Sequence, residues 1–245
     1  MIVLVREIGP LVFPEKCSGF IKTKILANDL SYGRGFSFLT FWCQKIGGNI
    51  TAVLCKFEDT FFIAANDMAD FSEIKEFVFA VGFLSIQTDS ETLNHLGLKE
   101  TLKFVCLTKD IKQEQAYSYT ETKNDFKKVY SLLFAGDEVN ILSIPFESWY
   151  ADLSHRIHHG TAFLEVLNDE SALVASHITK TAAVISGVVT VQSSRHKGLG
   201  SDLIKRAVLK LCGKRIYVAT DKRTADFYIK NGFTKSGEIS IYKEL

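Results

Sequence analysis

The sequence predicts a mixed α/β protein: a mostly antiparallel sheet flanked by helices, laid out twice along the chain. Two observations carry that expectation. Strand-like and helix-like segments follow one another in the same order in both halves. A polar, charged stretch from Thr108 to Lys128 separates those halves.

In the first half, Gly35–Gln44 is strand-like, and Asn49–Phe57 with Thr60–Ala65 continues it as a meander. The spacing of Phe71, Ile74, Phe77 and Val78 predicts a helix from Asp70 to about Val81, and Leu84–Thr88 returns as a strand. In the second half, a helix from Phe146 to about Arg156 precedes strands at Thr161–Leu167, Ser171–Thr179 and Ala182–Val191. A helix then covers about Ser201 to Leu211, and a strand follows at Arg215–Ala219. A last helix from about Arg223 to Asn231 stops at Gly232. Phe233–Lys243 supplies one or two closing strands, assigned to this half. The boundary falls near residue 125, giving domains 1–125 and 126–245.

Composition narrows the function. A formal net charge of +1 gives no pull toward nucleic acid or an anionic membrane, so neither is expected as a partner. No apolar run has the length of a membrane span, and Met1–Glu7 lacks the parts of a secretory signal, so the expected location is the cytoplasm. The five cysteines, Cys17, Cys43, Cys55, Cys106 and Cys212, are scattered and never in a CxxC pair, which reads as free thiols and not as a zinc site or disulfide framework.

The stretch that carries chemistry runs from Gly187 to Ser201. An apolar strand ends near Val191. A polar turn with Arg195, Lys197, Gly198 and Gly200 follows, and an amphipathic helix starts at once. Its apolar face is Leu203, Ile204, Ala207, Val208 and Leu211, with Lys205, Arg206 and Lys210 facing away. The first amides of a helix have no intrahelical acceptor and sit at the positive end of its dipole. Glycines let an anion approach that backbone, and the two cations add full charge, so the turn suits a pyrophosphate. It fits neither GxxxxGK[ST] nor GxGxxG. In the first half the corresponding connection, Asn66–Glu73, carries Asp67, Asp70 and Glu73 instead, and would repel an anion.

Two motifs in this half resemble the GNAT superfamily of N-acyltransferases: Arg195-His196-Lys197-Gly198-Leu199-Gly200, matching R/Q-x-x-G-x-G/A, and Phe227-Tyr228-Ile229-Lys230-Asn231-Gly232-Phe233, matching F/L-Y-x-x-x-G-F, with a strand between them. The resemblance covers roughly the last hundred residues. It implies acetyl-CoA as co-substrate and two tandem GNAT-like domains, the first a degenerate copy without a cofactor site. It also implies that Arg195, His196, Lys197, Gly198, Leu199, Gly200 and Ser201 hold the pyrophosphate. The backbone of Val188, Val189 and Thr190 would bond the pantetheine arm, Asp221 would contact the cofactor, and Tyr228 would act as general acid. Gln192, Asp221 and Thr224 depart from the family's Pro, Asn and Ala at these positions. The implied reaction is attack of a small-molecule or peptide amine on the thioester. An acyl-CoA-binding sensor without turnover is the alternative.

Glu165 and His177, on the meander strands, are the candidates for the base that takes the amine's proton. His155, His158 and His159 have helical spacing for zinc, but no further ligand completes a set, and no metal is expected.

Overall fold

The structure, a computed structural model, describes residues 1–5, 10–111, 125–136 and 144–244. The chain divides into two compact units: Met1–Leu107 with Ala219–Asp226 and Lys235–Leu245, and Thr108–Val218 with Phe227–Thr234. Neither unit is a continuous stretch of sequence, so the units differ from a single cut at residue 125.

The first unit begins with β1 (Ile2–Leu4) and α1 (Gly19–Tyr32), then the meander β2 (Leu39–Ile46), β3 (Asn49–Phe57) and β4 (Thr60–Ala65). Next come α2 (Phe71–Val81), β5 (Ser85–Asp89), α3 (Ser90–His95) and the start of β6 (Leu102–Asp110). Strands β1 to β4 pair antiparallel in sequence order, and β4 pairs parallel with β5. The final strand, β11 (Thr234–Lys243), also belongs here: Ile239 to Lys243 pair antiparallel with Asp89 to Ser85 of β5. Of the stretch Phe233–Lys243 read with the second half, Phe233 and Thr234 lie in the second unit and Lys235–Lys243 in the first. Strand partners are set by distant side chains, not by local pattern, and Tyr242 packs on the first unit's core of Leu54, Phe61, Ile63, Ile74, Val78 and Ile86.

The second unit contains α4 (Phe126–Gly136), α5 (Phe146–His158), β7 (Phe163–Leu167), β8 (Ser171–Ile178) and β9 (Ala182–Thr190). A single 3-10 turn at Gln192–Ser194 leads into α6 (Leu199–Lys210), β10 (Arg215–Thr220), which belongs to this unit as far as Val218, and α7 (Lys222–Lys230), which belongs to it from Phe227. β7, β8 and β9 pair antiparallel, and β9 pairs parallel with β10. Thr108 Oγ1 donates to Ile216 O at 3.1 Å and Ile111 N to Lys214 O at 3.1 Å, which fixes the end of β6 in this unit. The stretch read as a linker is thus strand at Thr108–Asp110 and helix from Phe126, while 112–124 lie outside the described residues.

Helices cover both faces of the second unit's sheet. On one side, α4 contributes Val129 and Leu132 to a core with Leu153, Leu164, Ala172, Val174 and Val189. On the other, α6 buries Leu203, Ile204 and Ala207. Alternation along β9 sends Gly187 and Val189 toward α4 and Thr190 toward α6. No helix among the described residues is long and apolar enough to cross a membrane. Cys43, Cys55 and Cys106 are buried thiols, and burial pushes the Cys106 thiol up to about 11.

Candidate acyl-CoA site

The site is built where two parallel strands part. β9 and β10 are in register from Ala182 and Arg215 to Ile185 and Val218, and the pairing stops there. Both strands continue: β9 to Thr190 and β10 to Thr220. At the point of parting the β8–β9 register shifts, since Val174 faces Gly187 while Ala175 faces Ile185. Ser186 is the extra residue of that bulge. It is exposed, and its hydroxyl donates to Val174 O at 3.2 Å. Bulges increase local twist, and a strand twisted away from its neighbour leaves one row of backbone groups unpaired on that side. Val188 to Thr190 lie on that side without a strand partner from β10, the Thr190 carbonyl accepting from Arg195 Nε, while their other side pairs with Ser171 to Leu173.

Beyond Thr190 the chain turns tightly. Ser194 N donates to Val191 O at 3.0 Å and Arg195 N to Gln192 O at 3.3 Å. Arg195 folds back, its Nε donating to Thr190 O at 3.3 Å, and Lys197 Nζ donates to the buried Ser194 hydroxyl at 3.2 Å. His196 takes a left-handed φ of 65° and Gly198 one of 87°. Alternation of ordinary and left-handed residues curls successive amides toward one point, which is the geometry of an anion nest. Gly198 is the N-cap of α6, and no side chain caps the helix. The first intrahelical bond at this end runs from Asp202 N to Gly198 O at 3.0 Å, so the amides of Leu199, Gly200 and Ser201 precede it. A left-handed Gly198, three leading amides, and Arg195 and Lys197 beside them fit a diphosphate in both charge and shape.

The two glycines of the turn are there for different reasons. Gly198 is fixed by its φ, because nothing stands within 4 Å of a Cβ built on it. Gly200 is fixed by space: its Cβ would lie 3.2 Å from Cζ of Phe227. That second reason is not visible in the motif, where close approach of an anion is the natural reading of both.

Tyr228 is buried at 5% exposure, its ring meeting Phe227 at 5.0 Å and Phe233 at 5.7 Å, both edge-on. Asp221 is engaged locally. Its carboxylate accepts Thr224 N at 2.9 Å and caps the start of α7, and its contacts place it in the first unit. The structure therefore brings together Val188–Thr190, the Arg195–Ser201 turn, Phe227 and Tyr228 in the second unit, and leaves Asp221 outside that group.

Both candidate bases have other engagements. Glu165 is 1% exposed, with Lys210 Nζ 2.8 Å and Arg206 4.0 Å away, so it is neither an exposed strand residue nor accessible to an amine. Burial pushes the Glu165 carboxyl up, against the pull of Arg206, and burial pushes the Lys210 amine down. Arg206 and Lys210 were expected to face away; instead both turn back over the sheet, since a long aliphatic stem lets the charge reach an acid at the helix edge. His177 Nδ1 is 2.7 Å from Ser176 Oγ. At the end of α5 the rings of His155 and His159 lie 4.3 Å apart, and no group of three or more His, Cys, Asp or Glu among the described residues is placed to hold a metal ion.

Neither a protein-family model nor a curated protein matches this sequence. Solved structures do. A GNAT-family acetyltransferase from Colwellia psychrerythraea aligns over 100% of both chains at 12% identity, with a TM-score of 0.51. A tandem GNAT protein from the clavulanic acid biosynthesis pathway aligns over 92% of this chain and 93% of its own, at 10% identity and a TM-score of 0.54. A GCN5-related N-acetyltransferase from Sphaerobacter thermophilus aligns over 95% and 96%, at 10% identity and 0.57. At such identities the likeness is one of fold. The chain has the GNAT fold, and a tandem GNAT protein matches nearly its whole length.

Proposed function

We propose that the second unit binds acetyl-CoA and transfers its acetyl group to an amine, a small molecule or a peptide, in the cytoplasm. The observation that carries this reading is the uncapped start of α6, with left-handed Gly198 between Lys197 and the leading amides, set beside the parted edge of β9.

In this reading the amides of Leu199, Gly200 and Ser201 bind the pyrophosphate, and Arg195 and Lys197 neutralise its charge. The edge at Val188–Thr190 that β10 does not cover bonds the pantetheine amides as a neighbouring strand would. When bound, the cofactor supplies an acyl group activated as a thioester. Tyr228 gives its phenolic proton to the departing sulfur, so that the sulfur leaves as a thiol. The amine attacks in its neutral form; as the C–N bond forms and the C–S bond breaks, nitrogen gives a proton to water, and Tyr228 regains one from solvent after the thiol leaves. The burial of Tyr228 favours one alternative, a domain that binds acyl-CoA without turnover.

The test is calorimetry with acetyl-CoA, followed by an amine panel read by thiol release. Acetyl-CoA binding with thiol release in the presence of an acceptor supports transfer. Binding without release from any amine supports the sensor, and absence of binding refutes both.

A further inference from the structure

One ring touches both chemical parts of this site. Gly200 sits in the first turn of α6, the turn whose amides lead the helix, and its backbone conformation is open to any residue. What leaves no room there is Phe227 of α7. A Cβ at position 200 would stand 3.2 Å from Cζ and 3.4 Å from Cε2 of the ring, with Thr190 Oγ1 at 3.6 Å. The same ring meets Tyr228 edge-on at 5.0 Å and 74°. Phe227 is itself held from below: Asn231 Nδ2 and Asn231 N both donate to its carbonyl, at 2.8 and 3.2 Å. Lys109 Nζ then fixes the Asn231 carbonyl at 2.8 Å. These bonds fix the backbone at the end of α7, and the ring carried there occupies the space a Cβ at Gly200 would need.

We infer that Phe227 is a positioning residue for acyl transfer, setting the depth of the phosphate-binding turn against the helix that carries Tyr228. This rests on the acyl-CoA reading above. Close-packed contacts are stiff, so a ring edge that leaves no room for a Cβ at position 200 limits how the turn and α7 can shift against each other. Misplacing reacting groups by about 1 Å costs up to roughly 10²-fold in rate. The pair also explains why position 200 takes glycine where backbone conformation does not demand it. A methyl there must displace the ring by a few tenths of an ångström or move the turn.

The test is a double-variant cycle: Gly200→Ala, Phe227→Leu and the two combined, with acetyl-CoA affinity by calorimetry and thermal midpoints on the same samples. Each single variant is expected to weaken acetyl-CoA binding roughly tenfold, a coupling of the size seen between touching residues. The combined variant restores room for the methyl, and its affinity returns to within about threefold of the native protein. A ring that only fills space would lower the midpoints and leave affinity unmoved, or give additive losses. Either result overturns the inference while native binding stands. Failure of the native protein to bind acetyl-CoA overturns the underlying reading and this inference together.

Discussion

Two helices in this chain follow a strand that has just parted from its parallel neighbour, and they begin in opposite ways. In the first unit, β4 and β5 are in register only from Thr60 and Ser85 to Phe62 and Gln87. The gap beyond is bridged by Thr88, whose buried hydroxyl donates to Ile63 O at 2.7 Å, and Lys24 reaches the last pair with Nζ 2.5 Å from Gln87 Oε1. α2 then starts under an acidic cap: Asp70 accepts Glu73 N at 3.0 Å. Glu73 in turn accepts Gln44 Nε2 at 2.7 Å and Ile2 N at 2.9 Å. In the second unit the parted edge at Val188–Thr190 meets the chain's own Arg195 side chain at Thr190 O, and α6 starts under left-handed Gly198 with two cations nearby. The same topology thus yields a helix start satisfied by the chain's own carboxylates in one unit, and one available to an external anion in the other. The difference lies in a few side chains at one turn, not in the architecture.

The largest effects should come from undoing the open turn. Gly198→Val forces a β-branched residue into φ of 87°. The turn should relax out of that conformation, and acetyl-CoA affinity should fall roughly a hundredfold by calorimetry. Unchanged affinity would mean that the anion site lies elsewhere. Tyr228→Phe keeps the packed ring and removes only the hydroxyl. With an acceptor in hand, kcat should fall by roughly 10²-fold while acetyl-CoA affinity stays put. Full turnover in that variant would strip Tyr228 of its role as acid.

Smaller effects belong to the closed turn. Asp70→Ala should cost about 1 kcal/mol of unfolding free energy in denaturant melts, the usual loss for a helix cap, and leave acetyl-CoA affinity as it was. A change in affinity would show that α2 takes part in binding. Glu73 gives a pH handle. Burial opposes its charge, but hydrogen bonds from Gln44, the Met1 ammonium and the Ile2 amide, with the ammonium's charge, together outweigh this and hold its carboxyl below the usual 4.5. A depressed carboxyl contributes stability above its unfolded pKa, and that contribution is lost as pH falls through the folded value. Glu73→Gln should therefore flatten the acid limb of the stability curve below about pH 4.5, with little change in shape at neutral pH. An acid limb as steep as the native one would remove Glu73 from this account.

The strand–turn–helix geometry at Gly187–Ser201 was readable because its signals are local: a strand end, two cations, two glycines and a helix start lie within fifteen residues. α2, α5, α6 and α7 were readable from apolar spacing, each to within a few residues. α1 was missed because its buried positions include Thr23, Asn28 and Ser31 beside Phe20, Ile21 and Ile25, so no apolar stripe marks it. β6 was not read as a strand, and its last residues, Thr108, Lys109 and Asp110, fell in what read as a polar linker. The placement of β11 in the first unit, the burial of Glu165 against Lys210, and the contact of Phe227 with Gly200 join residues far apart in sequence. A single sequence carries no trace of such pairings.

The central claim is that the second unit binds acyl-CoA and the first does not. Titration of the full chain with acetyl-CoA measures it directly. The account predicts one site per chain, abolished or severely weakened by Gly198→Val, and two sites per chain, or one that survives Gly198→Val undiminished, would contradict it.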